Sequence, residues 1–116
     1  MNRKIAERRG RSAERAAAIY LRLQGWSILD RRVKTPRGEI DLVARRLNHI
    51  TFFEVKWRAQ ADQLDHAIDE YRLRRVAAAV EAVAHKYAQD HQDISIDVLL
   101  LAPGRWPRHI VNAWQP

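Results

Sequence analysis

Two neighbouring stretches, Gly38-Glu39-Ile40-Asp41-Leu42-Val43-Ala44 and Thr51-Phe52-Phe53-Glu54-Val55-Lys56-Trp57-Arg58, alternate apolar and polar residues. That period of two is the pattern of half-buried strands. In the first, Ile40, Leu42 and Ala44 are expected on one face and Glu39 and Asp41 on the other; in the second, Thr51, Phe53, Val55 and Trp57 oppose Phe52, Glu54, Lys56 and Arg58. A hairpin closed symmetrically about Leu47 and Asn48 pairs residues whose numbers sum to 95, setting Asp41 opposite Glu54 and Glu39 opposite Lys56. Opposed residues of an antiparallel pair have Cβ atoms roughly 4.5–5.5 Å apart, where like charges repel unless something neutralises them. A divalent cation would do so. Leu47-Asn48 is a weak two-residue turn sequence, and a bulge would shift the register by one.

The elements around this hairpin follow from periodicity. Ala13, Ala16, Ala17, Tyr20 and Leu23 recur at helical spacing, predicting a helix over about 12–24, with a start as early as Ile5 open and Gly25 as its stop. On it Glu14 reads as a surface charge paired with an arginine. A strand is expected from Trp26 to Val33, then a turn at Lys34-Thr35-Pro36-Arg37-Gly38. Beyond the hairpin, residues 59–63 read as a loop, and Asp62 or Asp65 as the cap of a long helix whose stripe is Leu64, Ile68, Tyr71, Val76, Val80, Val83 and Tyr87. Residues 93–101 read as a central strand. A Pro103-Gly104 turn leads to a last short strand at about 109–114. Helix, three strands, helix, strand and strand predict one α/β domain over 1–116, its mixed sheet flanked by helices on both sides.

Composition narrows the function. The 116 residues contain no cysteine, which excludes disulfides and thiolate chemistry and fits a reducing cytoplasm. The apolar runs are too short to span a bilayer, and no signal-peptide core follows the basic N-terminus, so no membrane partner is expected. Of the net charge of +7, residues 1–37 carry eleven Lys or Arg against three acids, and the remainder ten against eleven. A basic arm over residues 1–10, with Arg8, Arg9, Arg11, Arg15, Arg37, Arg74 and Arg75 as contacts, points to a polyanion such as nucleic acid. A solvated basic tail is the plainer reading of the arm.

Three acids on one sheet face are costly to bury unpaired. Lys56 could offset one, giving an ordinary ion-pair ladder. Alternatively, Asp41 and Glu54, with the Val55 carbonyl, offer hard oxygen ligands to Mg²⁺ or Mn²⁺, while Lys56 orients water or stabilises developing charge. These are the parts of a phosphodiester hydrolase.

An acid, a hairpin and then Glu54-Val55-Lys56 resembles the PD-(D/E)XK nuclease superfamily, whose restriction-endonuclease-like core is helix, three strands, helix, strand. More narrowly, residues 38–44 with 53–58 resemble the YraN family of small bacterial proteins, which are similar to archaeal Holliday-junction resolvases. Gly10 with Glu14, Gly25-Trp26, Trp106-Pro107 and Asn112-Ala113-Trp114 extend the likeness over nearly the whole chain. The resemblance implies Asp41 and Glu54 as metal-binding acids, Lys56 as the catalytic lysine and Glu14 as a further metal-site acid from the first helix. It assigns supporting places to Glu39, Arg58 and Arg72.

Three departures accompany the likeness. Ile40 replaces the superfamily's proline before the first acid, as is usual in this branch. Arg72 stands where the family usually has lysine, which changes geometry while keeping charge. The Gly-containing loop expected after Arg58 is absent from residues 59–64. The implied function is a Mg²⁺- or Mn²⁺-dependent endonuclease acting on DNA rather than RNA, branched DNA in particular. A module that binds nucleic acid without cutting it is the alternative, and an adaptor with only an ion-pair ladder is a third reading. Resolvase-like proteins act as dimers, so the resemblance leaves a homodimer open, with Trp106 or Trp114 as interface or core.

Overall fold

The computed structural model describes residues 3–59 and 69–114 and, within them, side chains from Arg11 onward. In chain order the elements are α1 (Arg3–Leu23), β1 (Ser27–Thr35), β2 (Gly38–Arg46), β3 (His49–Trp57), α2 (Glu70–Tyr87), β4 (Asp93–Leu101) and β5 (Arg108–Ile110). One five-stranded sheet has the order β1-β2-β3-β4-β5. Its first three strands form an antiparallel meander, β4 lies parallel to β3, and β5 returns antiparallel to β4. The expected mixed sheet with helices on both faces is therefore present. No helix among the described residues is long and apolar enough to cross a membrane.

Helix α1 begins at Arg3, earlier than its apolar stripe alone marks, and ends where Gly25 adopts φ +91°. That left-handed residue lets the Trp26 N–H reach back to Leu21 O at 2.9 Å and the Gly25 N–H to Arg22 O at 3.1 Å, satisfying carbonyls that the helix end would leave open. Ala13, Ala17 and Leu21 then pack against Trp26, Leu42, Ala44, Phe53, Leu99 and Leu101 on one sheet face. Val76, Ala79, Val80 and Val83 of α2 cover the other, against Ile40, Val43, Ile50 and Phe52.

Helix α2 departs from expectation in two ways. Asp69 is its cap, its carboxylate accepting from the N–H groups of Tyr71 and Arg72; Asp62, Asp65, Leu64 and Ile68 lie outside the described residues. Tyr71 is exposed and Leu73 takes the core place instead. Thr35 remains in β1, so the first turn is tighter than expected. Strand β5 stops at Ile110, because Asn112 turns into the left-handed region at φ 52° and Ala113 donates to Ile96 O.

The hairpin register is the expected one over most of its length: Arg46↔His49 through Leu42↔Phe53 all sum to 95. At Leu47 the chain takes φ 55°, a costly conformation for a branched side chain. Beyond Leu42 the ladder ends, so Asp41 and Glu54 are not cross-strand partners, nor are Glu39 and Lys56. The alternation breaks there as well. Ile40 joins Val43 in the core under α2, whereas Leu42 and Ala44 join the core under α1. At this point Asp41 Oδ2 accepts the Val55 N–H at 2.7 Å, just beyond the last backbone pair of the ladder.

Candidate active site

Where the ladder between β2 and β3 ends, Glu54 lines a pocket roofed by the first turns of α2, and the buried Asp41 lies near enough to feel the Glu54 charge. Glu54, on β3, is 4% exposed and faces α2, together with Lys56. Lys56 Nζ lies 3.2 Å from Glu54 Oε1, and Arg72 Nη2, from α2, lies 3.1 Å from the same oxygen. Neither donor is aligned for a hydrogen bond, so Oε1 is a buried acceptor without a hydrogen-bond partner. Glu39, Tyr71, Arg75 and Val76 complete the pocket wall.

Burial and charge perturb the groups in predictable directions. Burial, and then the neighbouring Glu54 carboxylate, push Asp41 up to about 7, against the opposing effect of the Val55 hydrogen bond; Glu14 and Glu39 add to the rise. Burial also lowers the Lys56 ammonium, and Arg72 and Arg58 lower it further, while Glu54 opposes them. A lysine so placed gives up its proton more readily than one in water.

Glu14 is brought to this end of the sheet by α1, half-buried and bound by Arg32, whose Nε donates to Glu14 Oε2 at 2.6 Å. The reading of Glu14 as a charge paired with arginine and its placement beside the acid pair are thus compatible. Arg32 lies outside every sequence-derived expectation. Its guanidinium is held above its ordinary value first by the Glu14 hydrogen bond, and then, against burial, by the charges of Glu14, Glu39 and Asp41. It has φ 50° on β1, close to a register shift between Ile28 and Asp30. Backbone strain of this kind gathers where function demands a placement that regular strand geometry would not give. A run of arginines at 31 and 32 carried no signal, because a bulge decides which of them faces the site.

The expected ligand set does not assemble as a whole. Among the described residues no three His, Asp or Glu side chains converge. Glu14 is engaged by Arg32, and the Val55 group that touches Asp41 is its N–H. What remains is a pair of buried carboxylates whose charges interact, Asp41 and Glu54, the second with Lys56 and Arg72 against one oxygen. Mg²⁺ is commonly held by one or two carboxylates with the rest of its shell water or phosphate oxygen, so the pair fits such an ion.

The basic residues divide. Arg72 and Arg75 line the pocket. Arg58 caps the end of β3, its N–H on Leu101 O and its Nη1 on Trp57 O. Arg11, Arg15 and Arg74 are exposed on the helices. Arg37 reaches Glu81 at 3.5 Å, and the side chains of Arg8 and Arg9 lie outside those described.

The profile of a family described as uncharacterised protein family UPF0102 matches residues 13–101. UPF0102 proteins of Erythrobacter litoralis and Sphingopyxis alaskensis are 69% and 60% identical over 116 residues, covering 100% of both chains in each case. Among solved structures, a Holliday junction resolvase of the archaeon Archaeoglobus fulgidus superposes with a TM-score of 0.56 at 18% identity, over 84% of this chain and 72% of that one. At that identity the likeness is one of fold, and it is the restriction-endonuclease-like fold expected above.

Proposed function

The chain belongs to the uncharacterised protein family UPF0102, the YraN family, and from that membership and the geometry of its acid pair we propose that it is a metal-dependent nuclease. The observation that carries the proposal is the buried Glu54 carboxylate, adjoining Asp41 and Lys56 and presenting an oxygen with no aligned donor. An ion-pair ladder on a solvated face would leave neither Glu54 buried against Lys56 and Arg72 nor Asp41 raised to about 7. A divalent cation at the acids would favour the ionised form of Asp41 that burial and Glu54 disfavour.

Asp41 and Glu54 would hold Mg²⁺ or Mn²⁺, which supplies positive charge against phosphate oxygens and makes water more acidic. The protein's own groups do the rest. The Val55 N–H fixes the Asp41 carboxylate, leaving its second oxygen for the ion. Lys56, its proton loosened by burial, orients the attacking water or takes up its proton. Arg72 and Arg75, at the pocket wall, bind the phosphate flanking the scissile bond, and Arg32 holds Glu14 beside the acids. Nucleic acid is the substrate class, with DNA preferred to RNA and branched DNA preferred among DNAs by analogy of fold.

The test is a panel of duplex, single-stranded, forked and four-way DNA, with RNA, incubated with Mg²⁺ or Mn²⁺. Asp41→Asn and Glu54→Gln should each remove cleavage while leaving the thermal transition intact or raised. Cleavage that survives either substitution would defeat the proposal.

A further inference from the structure

Trp106 is 87% exposed, in a chain that buries Trp26 to 6%. It stands in the turn between β4 and β5, which the Arg105 N–H closes onto Ala102 O. Arg105 and Arg108 beside it are exposed too. The sheet register locates this turn relative to the acids. Lys56 pairs with Leu100, and Leu100 with Arg108, in one row across β3, β4 and β5. Because paired residues share a sheet face, Arg108 issues from the face that carries Glu54 and Lys56. Two strand spacings of about 4.8 Å separate the Lys56 and Arg108 backbones, and Trp106 lies two residues beyond. The β3 terminus brings Arg58 to the same sheet end, where its N–H meets Leu101 O.

We infer that Trp106, flanked by Arg105 and Arg108, is a stacking platform for an unpaired nucleobase a few nucleotides from the bond cut at Asp41 and Glu54. The inference rests on the nuclease reading and narrows its substrate to nucleic acid with a single-stranded stretch beside the scissile phosphate. An indole can stack only on a base whose face is free, and bases within a duplex have both faces covered by neighbours. Stacking on aromatic side chains is sequence-tolerant, and the neighbouring arginines answer the phosphates that such a strand carries. A second copy of this chain is the poorer occupant: a two-fold contact centred on the turn would set Arg105 and Arg108 against themselves, in a chain already at +7.

Anisotropy of a fluorescein-labelled oligonucleotide, single-stranded and as its duplex, in EDTA, reads this contact without any cleavage. Trp106→Ala should weaken single-strand binding about tenfold while changing duplex binding by less than about twofold, and Trp106→Phe should restore most of the loss. The thermal transition should stay in place, since the side chain is not part of the core. Unchanged single-strand binding, or equal loss on both probes, would overturn the inference, as would sedimentation showing that Trp106→Ala converts a dimer to a monomer. A wild-type protein that cuts nothing defeats the nuclease reading alone; the contrast between single strand and duplex is scored independently of it.

Discussion

At Glu54 two cations contact a single buried oxygen and neither donates to it in line. Arginine at position 72 has a planar fork that needs two acceptors for its best geometry, and here it finds one already approached by Lys56. The pocket is therefore neutralised in charge while its hydrogen bonding stays incomplete. Asp41 adds a measurable consequence. In the folded chain it holds its proton to about 7, against 3.8 as the ordinary value, so across that window the folded state binds more protons than the unfolded one. Stability of the ion-free protein should fall as pH rises from about 4 to 7 and level off above, measured by urea titration. Asp41→Asn, which keeps an oxygen for the Val55 N–H, should flatten that slope; a slope that persists would place the titration elsewhere. The acids themselves were legible in the sequence from their alternation with apolar residues. Arg32 was not, because its part depends on a left-handed backbone and on a bulge that no side-chain pattern announces.

Among the elements, the β2–β3 hairpin and its contact with α2 fix the site. A Cβ on Gly38 would stand 2.7 Å from the Arg75 carbonyl oxygen, inside the backbone of α2. Gly38→Ala should destabilise by about 1–3 kcal/mol, seen as a lower thermal midpoint, since neither backbone can yield without moving the other. The hairpin tip offers the opposite case. Leu47, 93% exposed, occupies a left-handed conformation, so Leu47→Asn should stabilise by about 1 kcal/mol in chemical denaturation. The register sum of 95 was readable because apolar alternation and loop length agree from Arg46 to Leu42. It failed at Asp41, just beyond the last backbone pair, where the side chain accepts the Val55 N–H, a contact that residue polarity alone does not reveal. In α2 the stripe through Tyr71 misled because Tyr71 lies five residues before Val76 and so off its face, whereas Leu73, three residues before it, is on the buried side.

For the whole molecule, order along the chain was the most legible property, since meander, helix and returning strand leave few ways to cover both faces of a sheet. Less legible was which end of the sheet would gather charge. That follows from the parallel pairing of β3 with β4, which sends the connection back over the sheet and delivers the start of α2 to Glu54. The same crossover orders events in time. Asp41 and Glu54 belong to neighbouring strands joined by a two-residue tip, whereas Arg72 reaches Glu54 only after the longer connection closes. In stopped-flow chevrons Arg72→Ala should therefore speed unfolding and leave refolding nearly unchanged, and a slowed refolding limb would mean that the contact forms early. On that order of events a nascent chain that had made the hairpin would offer both carboxylates to a divalent ion before α2 closed over them.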